Sequence, residues 1–173
     1  MSSSLVGSEM CIRDRLSIAL RGCPQFLYVR AMQGHDGNSG QHPDAALRSI
    51  AQAVVRARPG DTVIVGPGSY TPPFPSAAAV ADIIDIHASV RSPLTLLADT
   101  TGALSGDPAG AVIIDAQGAT AGFHLQQSRF IIIDGFTFIH AHGTNAAGVD
   151  IRSDSHFITI RNTDIHHNHH GIR

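Results

Sequence analysis

The chain has 173 residues, 43% of them hydrophobic and 15% charged, which suits one globular domain with a substantial core and excludes disorder along most of its length. Net charge is −2, all 12 cationic residues are arginines, and no run of like charge marks a nucleic-acid partner or an anionic membrane surface. No apolar stretch approaches the roughly 20 residues that cross a bilayer, and Cys11 and Cys23 are too few and too near the start for a disulfide framework.

Ser4 to Arg15 resembles a translated sequencing-adapter stretch and shares no periodicity with the rest of the chain, so residues 1–25 are read as non-native, with any secretion signal lost ahead of a domain spanning 26–173. Tyr28-Val29 begins a short strand, and Gly34 to Pro43 is a loop dense in turn formers. Its Asp36-Gly37-Asn38 does not open an EF-hand, because position 47 is Leu where such a loop ends on an acidic residue. Asp44 is placed to cap the next segment. Leu47, Ile50, Ala51, Val54 and Val55 then fall on one stripe, which predicts an amphipathic helix over 45–58, with Arg56 and Arg58 at its negative end and Pro59-Gly60 stopping it. One helix followed only by strands needs an apolar surface to cover, and the open end of a strand stack is such a surface.

Everything after Gly60 reads as short strands and polar turns. Thr62 to Val65 is β-branched, Gly66-Pro67-Gly68 turns it into Ser69-Tyr70-Thr71, and Pro72, Pro73 and Pro75 force an irregular excursion. The C-terminal third repeats. Gly122-Phe123-His124-Leu125, Gly148-Val149-Asp150-Ile151 and Gly171-Ile172-Arg173 align, as do Phe130 to Phe138 and Phe157 to Ile165. Strand-rich repeats at such short intervals mark a solenoid.

In register, the segments predict three inward columns. The first holds Ile84 and Ile86, Phe123 and Leu125, Val149 and Ile151, and Ile172. The second holds Val63 and Val65, Leu94 and Leu96, Ile131 and Ile133, Ile158 and Ile160. The third holds Tyr70, Val112 and Ile114, Phe136 and Phe138, Thr163 and Ile165. Between second and third, Gly135 and Asn162 occupy a tight bend that needs left-handed backbone. The expected fold is all-β: a right-handed parallel β-helix of three-strand coils with an N-terminal capping helix.

Tyr28-Val29 with its loop, Leu47-Arg48-Ser49-Ile50 with Ala53, and Pro59-Gly60-Asp61-Thr62-Val63 leading to Pro67-Gly68-Ser69-Tyr70 resemble the cap and first coil of the pectate-lyase-like superfamily. The resemblance runs from Tyr28 to the end. It implies a substrate groove along the outside of one parallel sheet, which makes Asp85, His124, Asp150 and Arg173, the outward residues of the first column, the substrate-face candidates. Such a row could hold a uronate chain, with Ca²⁺ as the cofactor if the protein is a lyase. Alternating charges on a wet sheet face also satisfy one another without any ligand.

His156, His166, His167, His169 and His170 are read as turn residues, with no metal site assigned, because His166 and His170 do not share a face outside a helix. His140 and His142 follow the equivalent strand one coil earlier. No catalytic residue is assigned. The last repeat is cut at Arg173, so the chain is read as the first coils of a longer protein whose open C-terminal coil favours self-association. The functional expectation is a carbohydrate-active protein, of the pectate-lyase-like kind, acting on or binding acidic polysaccharide outside the cytoplasm. The alternative is a non-catalytic surface or adhesion scaffold.

Overall fold

The computed structural model describes residues 24–173. The cysteines and most of the segment read as non-native lie outside the described residues. Gln25 already belongs to the fold: Thr62 N–H donates to its carbonyl (2.9 Å) and its own N–H donates to Asp61 Oδ1 (2.9 Å).

Strands wind into three parallel sheets, one strand of each per coil. β1 (Phe26–Val29) starts the first sheet. The first coil is β2 (Thr62–Val65), β3 (Gly68–Tyr70) and β4 (Ala79–Ile84); the second is β5 (Leu94–Ala98), β6 (Val112–Asp115) and β7 (Ala121–Gln126). β8 (Arg129–Asp134), β9 (Thr137–Ile139) and β10 (Ala147–Arg152) make the third, and β11 (His156–Arg161), β12 (Asp164–Ile165) and β13 (His170–Ile172) the fourth. The sheets run β1-β2-β5-β8-β11, β3-β6-β9-β12 and β4-β7-β10-β13, which is the expected parallel β-helix, right-handed. Gly135 (φ 87°) and Asn162 (φ 53°) take the left-handed bend between first and second sheets, and the Asn162 amide donates to Asp134 Oδ1 (2.8 Å).

The interior is a continuous apolar column. Leu96, Ile131, Ile133, Ile114, Phe138, Phe123 and Leu125 are fully buried. Phe123 meets Phe136 and Phe138 edge-on at 5.5 and 5.1 Å, a favoured aromatic geometry. Gly122 and Gly148 also face inward: a Cβ on Gly122 would sit 2.8 Å from Phe138 Cδ1 and 2.5 Å from the Gly148 carbonyl oxygen. The repeated glycine is therefore where the chain passes over the phenylalanines.

The helix is shorter than its sequence stripe. α1 covers Ile50–Arg56, and the residues before it serve the sheet instead. Leu47 bridges Val29 in parallel: its N–H donates to the Tyr28 carbonyl (2.8 Å) and its carbonyl accepts from Arg30 N–H (2.9 Å). That pairing covers the free edge of β1 and takes Leu47 out of any helix. The cap is Ser49, whose Oγ accepts from Gln52 N–H (3.3 Å), rather than Asp44, which lies in a separate 3₁₀ turn, Pro43–Ala45. Asp36 braces this entrance by accepting from Arg48 N–H, Ser49 N–H and Ser49 Oγ. Ile50, Ala53 and Val54 are buried, whereas Val55 points to solvent.

Two of the predicted registers shift. Val63 pairs Leu96 and Val65 pairs Ala98, two residues beyond the expected Leu94 and Leu96, and Leu94 pairs only Ile131. A slip of two keeps every side chain on its face, which is why the apolar pattern could not reveal it. The third sheet shifts more consequentially. β4 is Ala79–Ile84, with Ala81 opposite Phe123 and Ile83 opposite Leu125, so Ala81 and Ile83 hold the inward places expected for Ile84 and Ile86. Asp85 adopts φ 59° and ends the strand, and Ile86 N–H donates to Ser128 Oγ (3.1 Å) in the turn beyond.

The cap is tied to the coils by polar side chains. Arg30, almost fully buried, clasps Asp107 in a fork (Nε at 3.0 Å from both carboxylate oxygens, a terminal nitrogen at 2.5 Å), and Asp107 helps hold the Arg30 pKa above the ordinary guanidinium value. Asp99 organises its loop by accepting from Leu104 N–H, Ser105 N–H and Ser105 Oγ. Tyr70 donates to the Gly66 carbonyl (2.8 Å), and burial pushes its phenol pKa up.

Candidate functional site

The outward face of the β4-β7-β10-β13 sheet carries one polar row. Register places Asp82 beside His124 and His124 beside Asp150, and Arg173 continues the ladder: its N–H donates to the Val149 carbonyl (3.0 Å) and its carbonyl accepts from Ile151 N–H (2.7 Å). Neighbouring members stand on strands about 4.8 Å apart. Three of the four residues singled out in the sequence, His124, Asp150 and Arg173, thus come together. Asp85 does not; Asp82 takes its place. The signal that identifies Asp82 is a shared spacing, Ala79-Val80-Ala81-Asp82, Ala121-Gly122-Phe123-His124 and Ala147-Gly148-Val149-Asp150, with a buried alanine three residues before each row member.

Within the row, Asp82 Oδ1 lies 3.1 Å from His124 Nδ1. A carboxylate accepts, so Nδ1 carries a proton, and in the neutral form of such a ring Nε2 is the acceptor. Asp150 is only 2% exposed, and its Oδ2 is held by Arg152 Nε at 2.6 Å. His124 Nε2 and Asp150 Oδ1 are buried without a hydrogen-bond partner among the described residues. Two adjacent orphaned polar atoms on one strand pair are costly, of order 1–3 kcal/mol each, and call for a cause beyond surface polarity. Both are shielded, so a ligand reaches them only with a shift of the side chains around them. Asp82 is half exposed and Arg152 and Arg173 are exposed, and these form the reachable part of the row.

The row is not a calcium cage. Asp82 and Asp150 flank the strand of His124, each is tied to a base, and no cluster of three His, Cys, Asp or Glu among the described residues is arranged to hold a metal. A hard cation takes six to eight oxygens, and this lining offers far fewer. Of the histidines read as turn residues, His166, His167 and His169 lie between β12 and β13, whereas His156 opens β11 and His170 opens β13. His140 (φ 61°) and His167 (φ 54°) share the left-handed position of successive coils, His140 N–H donates to the His167 carbonyl (3.1 Å), and Asn168 bonds Ala141 N–H and the Phe138 and His166 carbonyls.

Beside the row, Pro72 to Ala78 and Ala116 to Thr120 enclose a cleft of about 650 Å³. The proline excursion, seen in sequence only as an interruption, forms one of its walls and presents Phe74 at the surface.

No protein-family profile and no curated protein matches the chain. Solved structures do. A rhamnogalacturonan lyase superposes with a TM-score of 0.66 at 16% identity, over 83% of this chain and 36% of that one. Pectate lyase Pel9A gives 0.60 at 21% identity, over 83% and 34%, and a GH136 lacto-N-biosidase from Eubacterium ramulus gives 0.60 at 16%, over 83% and 27%. The chain therefore spans about a third of the length of these structures. At such identities the likeness establishes the fold alone, a right-handed parallel β-helix.

Proposed function

We propose that this β-helix belongs to a carbohydrate-active protein that works outside the cytoplasm and binds acidic polysaccharide along the outward row Asp82, His124, Asp150 and Arg173. The observation that carries the reading is the orphaned pair His124 Nε2 and Asp150 Oδ1. An acceptor nitrogen beside a carboxylate oxygen is completed by the hydroxyl groups of a sugar, each of which donates as well as accepts. Arg173 and Arg152 supply the positive charge that a uronate carboxylate pairs with. The names of the superposing structures, two lyases and a glycosidase, support a carbohydrate ligand by analogy of fold, and its acidic character rests on the arginines. Contact with either orphaned atom requires the surrounding side chains to shift, and the same shift would have to precede any role of His124 Nε2 as a base.

Titration of the chain with acidic oligosaccharides tests this. Binding should weaken at least about tenfold on His124→Ala, and an unsaturated uronate product from the whole protein would add the lyase activity. Binding unchanged by His124→Ala would exclude the row as the binding face.

One observation favours a second reading, a non-catalytic scaffold: Asp82 pairs His124, Asp150 pairs Arg152, and Arg173 donates to the Asn145 carbonyl (2.6 Å), so every charged group of the row already has a polar partner. A scaffold predicts no saccharide binding at the row. We also propose that β11, β12 and β13, outermost in their sheets, support self-association; concentration-independent monomer mass in light scattering would exclude it.

A further inference from the structure

Asp85 lies in a second polar cluster on the other rim of the same sheet. Asp85, His87, Gln127, Arg129, Asp154 and His156 line a hollow of about 330 Å³ at the turn between the third sheet and the first. The coils stack its members: His87 bridges Arg129, and Arg129 pairs His156, so one arginine sits between two imidazoles on successive strands. Arg129 is exposed and enters no ion pair among the described residues, nor does Asp154. His87 Nε2 lies 3.1 Å from Asp85 Oδ1, and His156 Nδ1 donates to the Asp154 carbonyl (2.9 Å), which leaves His156 Nε2 as an acceptor.

A second observation marks the same place. Phe130 and Phe157, each next in sequence to a member of the cluster, have φ of 55° and 57°, a conformation that bulky side chains rarely adopt. Left-handed backbone breaks the strand alternation here, so Arg129 with Phe130, and His156 with Phe157, all avoid the interior. The two rings stack at 4.6 Å and 15°, and Phe157 is 65% exposed. Repeating a strained aromatic in two coils, at about 1–3 kcal/mol apiece, asks for a function.

We propose that this hollow is a second saccharide site, specific for an acidic sugar. The planar fork of Arg129 takes the carboxylate in bidentate fashion. Asp154, the second oxygen of Asp85 and His156 Nε2 accept from ring hydroxyls. A simple anion would leave the acceptors unmatched, and a neutral sugar would leave Arg129 unmatched. The site rests on the polysaccharide reading for its ligand class but not on the outward row, since its residues are different.

Amide chemical-shift mapping of the full chain with an oligo-uronide, and with a neutral oligosaccharide of equal length, tests it. The uronide should shift residues 127–129 and 154–156, the neutral sugar should not, and Arg129→Ala should weaken the apparent Kd there at least about tenfold while leaving shifts at Asp82, His124 and Asp150 in place. Arg129→Lys, which keeps the charge and loses the fork, should recover only part of the affinity. Shifts at the hollow with none at the row uphold this site and remove the row. Absence of uronide shifts at the hollow, or equal shifts with the neutral sugar, overturns it whatever the row does.

Discussion

His124 and Asp150 stand opposite each other on β7 and β10, and each keeps one polar atom buried without a partner among the described residues. Their other polar atoms are engaged by Asp82 on β4 for the histidine and by Arg152, two residues along β10, for the aspartate. The row thus has its hydrogen bonds made at its flanks and two shielded, unpaired atoms at its centre.

That arrangement makes the Asp150–Arg152 pair asymmetric. Arg152 is 44% exposed and rehydrates when its partner is lost, whereas Asp150 has no water to turn to. Arg152→Ala should therefore destabilise the fold by about 1–3 kcal/mol, and Asp150→Asn by less. Urea denaturation of the two variants, compared at equal m-value, checks the order.

The inward glycines make a steric prediction. Gly122→Ala places a methyl 2.5 Å from a carbonyl oxygen and 2.8 Å from Phe138, and Gly148→Ala places one 2.8 Å from Ile165 Cγ2. Overpacking of this kind costs about 1–3 kcal/mol, and more when backbone is the obstacle. Gly122→Ala should accordingly lower Tm further than Gly148→Ala, whose nearest neighbour is the end of a side chain.

Acid should loosen the cap and the Asp99 loop first. Burial pushes the Asp36 and Asp99 carboxyls up, but hydrogen bonds outweigh it: Ser49 N–H and Oγ with Arg48 N–H for Asp36, and Ser105 with Thr101 and Leu104 for Asp99, so both pKa values end below the ordinary range. Folded-state values below unfolded ones contribute stability that is complete above the unfolded carboxylate pKa of about 3.9 and is lost as pH falls through the lower folded value. Unfolding free energy measured against pH should fall through that window, and its slope should be shallower in Asp36→Asn and in Asp99→Asn.

The bend between first and second sheets offers a fourth test. Asn162 has φ 53°, so Asn162→Gly should be nearly neutral, while Asn162→Val, β-branched in the left-handed region, should cost about 1–3 kcal/mol by thermal or urea unfolding.

The sequence pattern discloses what depends on alternation and hides what depends on where a strand begins. Phe136, Phe138, Ile114 and Ile165 fall in one column because only the face of each residue matters there, and that column keeps its register in the structure. Ile83-Ile84-Asp85-Ile86 alternates as well as any strand, so nothing in it announces that Asp85 turns left-handed and that small residues from Ala79 onward do the pairing. The outward row is therefore legible at His124, Asp150 and Arg173, and its first position falls to Asp82 rather than Asp85. Spacing alone puts Leu47 in the helix, but an unpaired β1 edge competes for its backbone and wins. The Arg129 hollow is hard to see in the sequence because Gln127 and Arg129 recur as Asp154 and His156 at the same offset as Phe130 and Phe157, but with different residue types, so the repeat does not mark them.

The central claim, that the outward row recognises acidic polysaccharide, is tested most directly by calorimetric titration of one oligo-uronide into the wild-type chain and into His124→Ala, with Arg129→Ala in the background of both so that only the row reports. Recognition by the row predicts saturable binding that the His124 substitution weakens at least about tenfold with the fold intact. Equal affinity in the two proteins, or no binding in either, would contradict it.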